Sequence, residues 1–95
     1  MKAVQVTFIV KEDCCKDFIE QTLINVDNSR KESGVKNFIF FQKAPENHIF
    51  FLIEVYYSVE DQLKHRETDH YINWKKNILQ LLEKPYEINE LKIYS

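Results

Sequence analysis

The chain is 95 residues long, with 44% hydrophobic and 29% charged residues and a formal net charge of -2. A chain of this length builds one small core, so residues 1–95 are expected to form a single domain. Its 13 basic and 15 acidic residues form no long block of one sign, which argues against binding to a nucleic acid backbone. The N-terminal segment has no long apolar stretch of the kind found in signal peptides and membrane spans, so the protein is expected to be cytoplasmic.

The first strand and the first helix follow from the N-terminal third of the chain. Residues 4–10 are rich in β-branched and aromatic side chains and predict a strand. The acidic residues Glu12 and Asp13 suit the start of a helix, and apolar side chains then recur at steps of three and four residues. Gly34 is the only glycine of the chain. This pattern predicts a helix over about residues 13–33 that Gly34 ends in a left-handed conformation.

Residues 35–42 and 48–57 predict a β-hairpin, because the segment between them contains turn-forming residues. Both strands are apolar on successive residues rather than on alternate ones, so both faces of the sheet must be covered. The two predicted helical regions can cover only one face of the sheet. We therefore expect the other face to pack against a second copy in a homodimer, with Phe40 and Phe51 in that contact.

Two caps predict a broken helical region in the C-terminal half. Ser58, with Asp61 three residues later, predicts a short helix that ends near residue 67. Thr68 predicts the start of a second helix that ends near residue 84, and residues 86–94 predict the last strand. The resulting order is that of the α+β, ferredoxin-like βαββαβ fold, in which helices cover one face of a four-stranded antiparallel sheet. That fold hosts many functions and decides none of them.

The clustered acid/base residues of the chain lie between Glu54 and Tyr71. Glu54 is expected at the end of a buried strand, where loss of water raises the pKa of a carboxyl group. With His65 on the next helix it forms a candidate acid/base pair, although a purely structural carboxylate explains Glu54 equally well. His70 is expected to help cap the second helix. Because no third ligand has a suitable spacing to the two histidines, no metal site is predicted.

Aromatic and basic side chains are candidate substrate contacts. Tyr56, Tyr71 and Trp74 would either line a pocket for a flat substrate or belong to the core. Arg30 and Lys64 are candidate anchors for an anionic substrate group, and solvated surface positions are the alternative for both.

Several separated motifs resemble one protein family, in register over nearly the whole chain. They are Asn25 followed by residues 29–34, Phe38 with Gln42, Glu54 with Tyr56, and His65 followed by Thr68, Asp69, His70 and Tyr71. Together they resemble the antibiotic biosynthesis monooxygenase family, most closely its quinol monooxygenase-like and autoinducer-2 phosphate isomerase-like members. The resemblance implies a dimeric α/β barrel with a ligand cavity between sheet and helices. Asp61 departs from the family pattern, which usually has a small apolar residue at that position.

The resemblance also implies several activities. A cofactor-independent monooxygenase would deprotonate a quinol or phenolic substrate and pass an electron from it directly to dioxygen. His65, Glu54 and Asn25 are then the catalytic candidates, and no cofactor is expected. An isomerase of a phosphorylated hydroxy-dione, as in autoinducer-2 processing, would use His65 and Glu54 to move a proton. Heme binding or degradation and a non-catalytic dimer are further alternatives.

Overall fold

A computed structural model describes residues 1–95 as one four-stranded antiparallel sheet with three helices. The strands are β1 (Lys2–Ile9), β2 (Val35–Gln42), β3 (Ile49–Tyr56) and β4 (Glu87–Leu91), and the helices are α1 (Cys15–Ser29), α2 (Val59–His65) and α3 (Asp69–Ile78). The strand order in the sheet is β2-β3-β1-β4. This arrangement confirms the ferredoxin-like α+β fold. None of the helices combines the length and the apolar composition that crossing a bilayer demands.

The helices pack on one face of the sheet, which we call the inner face. Phe8, Phe18 and Phe50 are fully buried there, with the Phe18 ring 5.1 Å from that of Phe8 and 5.0 Å from that of Phe50. Trp74 of α3 donates a hydrogen bond of 3.1 Å from its indole Nε1 to the hydroxyl of Thr22 on α1. This bond satisfies two buried polar groups and ties the two helices to each other above the core.

The opposite face of the sheet, which we call the outer face, carries exposed apolar side chains. Ile39 and Phe41 of β2 are 40% and 46% exposed, and their partners across the strand pair are Ile53 and Phe51. Side chains alternate between the faces of a sheet, so both faces of this hairpin are apolar, as predicted. The prediction that Phe40 lies on the face away from the helices is wrong, because its ring lies on the inner face, 5.7 Å from that of Phe50.

Both predicted caps of the broken helical region are present. The hydroxyl of Ser58 accepts a hydrogen bond from the N–H of Asp61 (3.1 Å), and the hydroxyl of Thr68 accepts one from the N–H of Tyr71 (3.3 Å). The prediction differs from the structure at the C-terminal end of α3 and in the length of the last strand. Helix α3 ends at Ile78 and continues as a single 3-10 turn, Leu79–Leu81, and β4 is shorter than the predicted strand.

Gly34 does not adopt the predicted left-handed conformation, and α1 ends at Ser29, earlier than predicted. A turn then leads into β2. Within this turn the N–H of Glu32 donates to the C=O of Ser29 (3.1 Å). This turn lies against α2, and a Cβ atom at Gly34 would be 2.5 Å from the side chain of Asp61. The close approach of Asp61, and not the backbone conformation, explains the glycine.

Replacing Gly34 by Ala should therefore lower the free energy of unfolding by roughly 1–3 kcal/mol, the usual cost of overpacking. Ser33→Ala is the matched control, because Ser33 is exposed in the same turn and should change stability by less than about 0.5 kcal/mol. Urea unfolding of the three proteins measures both effects. Equal stability of the two variants would contradict the steric explanation.

Candidate functional site

A small cavity lies between the inner face of the sheet and the helices α2 and α3. Its volume is about 20 Å³, which is room for about one water molecule. Its lining residues come from all these elements and from the segment around β4: Val4, Val6, Glu54, Gln62, His65, Arg66, Tyr71, Trp74, Tyr86 and Ile88. Four of the residues singled out from the sequence, namely Glu54, His65, Tyr71 and Trp74, thus share one cavity.

Glu54 is a buried carboxyl group in the wall of this cavity. It follows the buried apolar residues of β3 and is 9% exposed. Burial raises its pKa to about 7, although a hydrogen bond from Tyr56 and the nearby charge of Arg66 act in the opposite direction. The Tyr56 hydroxyl donates to Glu54 Oε1 over 2.5 Å. Because a group with a pKa near neutrality can both accept and release a proton, Glu54 has the property that a general base requires.

Tyr56 holds the carboxylate and does not itself line the cavity. Burial, together with the charge and the hydrogen bond of Glu54, raises the pKa of its hydroxyl, so Tyr56 keeps its proton and acts as a donor. The predicted substrate contacts thereby divide into two groups. Tyr71 and Trp74 belong to the cavity wall, whereas Tyr56 contributes through Glu54.

His65 is 2% exposed and is surrounded by aromatic rings. The ring centroids of Phe38, Tyr56 and Tyr71 lie 5.4, 5.6 and 5.1 Å from its own. Its Nδ1 donates to Glu32 Oε2 over 2.8 Å. Burial lowers the pKa of His65, against the opposing effect of Glu32. His65 and Glu54 share the cavity as expected, but the carboxylate that binds the imidazole is Glu32.

His70 reaches the same carboxylate oxygen. Its Nε2 donates to Glu32 Oε2 over 2.7 Å, and its ring centroid lies 5.9 Å from that of His65. The helix cap beside it is Thr68, so the expected capping role of His70 is wrong. The expectation that no third potential ligand accompanies the two histidines is also wrong, because the ligand atoms of Glu32, His65 and His70 all lie within 4.8 Å of one another.

Asn25 and Arg30 lie away from the cavity. Asn25 is buried, and its Oδ1 accepts a hydrogen bond from Ser29 (3.3 Å), while its Nδ2 has no partner. It lines a polar groove between α1 and α3, to which Trp74 and His70 also belong. Arg30 donates from Nε to the C=O of Phe38 (3.0 Å). Arg66 is the basic residue in the cavity wall, and both Arg66 and Lys64 are exposed to solvent.

Sequence reasoning missed Glu32 and Arg66. Glu32 stands 33 residues before His65, and no spacing rule connects residues so far apart. Arg66 directly follows His65, and its position in a charged stretch is typical of a solvated surface. The signal that existed was indirect: Glu32 lies within the stretch of residues 29–34 that carries the resemblance to a family.

Known proteins share both the sequence pattern and the fold of this chain. Residues 1–77 match the sequence model of the family described as antibiotic biosynthesis monooxygenase. A candidate antibiotic biosynthesis monooxygenase from Nitrosomonas europaea has a similar structure, with a TM-score of 0.96 at 28% sequence identity over 100% of both chains. Rv0793 from Mycobacterium tuberculosis has a TM-score of 0.92 at 22% identity, over 99% of this chain and 95% of that one. PA3566 from Pseudomonas aeruginosa has a TM-score of 0.91 at 19% identity, over 99% and 94%. No curated protein matches the sequence.

The raised pKa of Glu54 predicts how stability depends on pH. Between about pH 4.5 and pH 7 the folded state holds a proton that the unfolded state has lost, so stability should fall as the pH rises through this window. A shift of this size corresponds to roughly 3 kcal/mol. Glu54→Gln stays neutral and should lose this part of the pH dependence, which urea unfolding at a series of pH values measures. Glu60→Gln, at an exposed position on α2, is the control. An unchanged pH dependence in Glu54→Gln would contradict the burial argument.

Proposed function

Because this chain belongs to the antibiotic biosynthesis monooxygenase family, we propose that it is a cofactor-independent monooxygenase acting on a quinol or another phenolic substrate. One observation carries the proposal: a buried carboxyl group with a pKa of about 7, Glu54, stands in the wall of a cavity between sheet and helices. A base of this strength is suited to removing a phenolic proton near neutral pH.

The proposed reaction begins with proton transfer from the substrate hydroxyl to Glu54. The resulting phenolate is electron-rich and passes one electron to dioxygen, and the substrate radical and superoxide then join in a carbon–oxygen bond. Glu54 returns its proton to the peroxide, and loss of water then converts the reacting ring C–H into C=O, while the former phenolate oxygen becomes a second carbonyl. A phenol and O₂ thus give a quinone and H₂O. The protein supplies the base, holds the substrate and excludes bulk water.

The other cavity residues have roles that fit this chemistry. The guanidinium of Arg66 would stabilise the phenolate and the superoxide by its positive charge. Nδ1 of His65 is bonded to Glu32, and Glu32 does not line the cavity, so the opposite edge of the ring, with Nε2, is left for the substrate. Tyr71 and Trp74 provide flat apolar walls.

Substrate entry requires side-chain movement, because the cavity now has room for about one water molecule. Trp74 lines both the cavity and the polar groove of Asn25. Rotation of its ring would break the hydrogen bond from the indole to Thr22, join the two spaces and expose the unpartnered Nδ2 of Asn25 to the substrate. In this proposal Asn25 donates a hydrogen bond to a substrate oxygen, and Arg30 binds an anionic group only outside the cavity.

An isomerase of a phosphorylated hydroxy-dione is the second candidate, and the nearness of Arg66 to Glu54 favours it. Arg66 would hold the phosphate while Glu54 moves a proton between adjacent carbons. The two reactions use the same base but differ in the need for dioxygen.

Oxygen uptake with a panel of quinols, in protein freed of flavins and metals, distinguishes the candidates. We expect turnover in the unmodified protein, with kcat/KM rising as the pH increases through about 7, where Glu54 becomes a free base. Glu54→Gln should lower kcat at least about 100-fold, whereas Glu60→Gln should retain it. Deuterium exchange into a phosphorylated dione without oxygen uptake would favour the isomerase. Turnover by Glu54→Gln at the unmodified rate would refute the assignment of the base.

We also propose that the protein forms a homodimer through the outer face of the sheet. The support is the apolar surface formed there by Ile39, Phe41, Phe51 and Ile53, of which the β2 residues are nearly half exposed. Exposed apolar patches of this kind mark protein contacts.

Phe41→Glu should weaken this dimer, because the carboxylate would be buried in an apolar contact without a partner. We expect sedimentation velocity to show a dimer for the unmodified protein and a shift of at least about tenfold in the dissociation constant for the variant. Leu63→Glu is the control, since Leu63 is equally apolar and 51% exposed on α2. A monomeric unmodified protein would contradict the proposal.

A further inference from the structure

The carboxylate of Glu32 lies where the nitrogens of two imidazoles converge. Its Oε2 accepts from His65 Nδ1 over 2.8 Å and from His70 Nε2 over 2.7 Å. We propose that Glu32, His65 and His70 form a binding site for a divalent first-row transition metal ion such as Zn²⁺. Two imidazoles and one carboxylate are a ligand set that such ions favour, and it leaves a coordination position for water.

The distances fit a metal ion after a small adjustment. Ligands that bind Zn²⁺ at about 2.0–2.1 Å in a tetrahedron lie roughly 3.3 Å from one another. The two N···O distances are about half an ångström shorter than this, and all three ligand atoms already lie within 4.8 Å of one another. Retreat of the Glu32 side chain by one small torsional change would leave the metal ion at the point toward which both nitrogens are directed.

Hydrogen bonds to the backbone hold the segments that carry the three ligands in place before any metal binds. The C=O of His65 accepts from the hydroxyl of Thr68 (2.7 Å), and the same hydroxyl caps the helix that carries His70. Glu32 is fixed in its turn by the bond from its N–H to Ser29 and by the bond from Val35 to its C=O (3.2 Å). A site organised in this way loses little conformational entropy when it binds an ion.

The site is reachable from solvent and lies beside the cavity of the proposed base. Glu32 and His70 are partly exposed, which gives an ion an entry path, whereas the fully buried His65 anchors it from the inside. Only His65 of the three lines the cavity of Glu54. Metal binding is measured without substrate, so failure of this proposal can be told apart from failure of the proposed function.

Titration with Co²⁺, followed by its visible absorption, tests the site in protein that carries no histidine tag and has been treated with a chelator. We expect one ion per chain, displaced by Zn²⁺. His70→Gln and Glu32→Gln should each weaken binding at least about tenfold. His48→Gln, which removes the one histidine outside the cluster, should bind as the unmodified protein does. Circular dichroism checks that each variant is folded.

The unmodified protein offers a test that does not depend on any variant. In ¹⁵N spectra of the imidazoles, Zn²⁺ should shift His65 Nδ1 and His70 Nε2 and leave the nitrogens of His48 unchanged. Absence of ion binding, binding that survives in His70→Gln and Glu32→Gln alike, or shifts at His48 alone would overturn the proposal and leave Glu32 as a hydrogen-bond acceptor for two histidines.

Discussion

The hydroxyl of Thr68 makes the two hydrogen bonds on which the helical side of the site depends. It donates to the C=O of His65 at the end of α2 and accepts from the N–H of Tyr71 in the first turn of α3. In a continuous helix, residues five apart would lie about 140° from each other around the axis. The break instead brings the rings of His65 and His70 within 5.9 Å, so that one carboxylate, Glu32, can bind both.

The sheet side of the site depends on a carboxyl group that interrupts an apolar surface. Phe50, Leu52 and Glu54 alternate along the inner face of β3, and the carboxylate ion is costly at such a position because it loses its water. Tyr56 lies two residues later on the same face and donates the hydrogen bond that offsets part of this cost. The remaining cost appears as the raised pKa. Burial and one well-placed donor thus set the strength of the proposed base.

Features that depend on neighbouring residues could be predicted from the sequence. The strands and the caps at Ser58 and Thr68 are of this kind, and so is the position of Glu54 at the end of a buried strand. The sheet face on which Phe40 lies could not be predicted, because a hairpin that is apolar on both faces gives the same sequence pattern in either register. In the structure Phe40 pairs with Leu52, and Phe41 with Phe51, which places Phe40 and Phe51 on opposite faces.

Features that depend on contacts between distant segments escaped prediction for a different reason. Glu32 reaches His65 only because the turn after α1 packs against α2, and that packing is visible in the sequence only as a lone glycine. The local rule for helix ends therefore misassigns Gly34, whose actual constraint is the side chain of Asp61. The same contact that explains the glycine also carries Glu32 to the histidines.

His65 is the residue at which the cavity and the histidine cluster meet, and its two nitrogens keep the two environments distinct. Burial lowers the pKa of the imidazole and so favours its neutral form, which has one N–H donor and one acceptor. While Nδ1 donates to Glu32, Nε2 is the acceptor and can receive a hydrogen bond from a substrate hydroxyl. In the proposed metal-bound form Nδ1 would be a ligand, and the proton would move to Nε2, which would then donate to a phenolate. Whether Glu32, His65 and His70 hold a metal ion would therefore decide whether His65 favours the protonated or the deprotonated substrate.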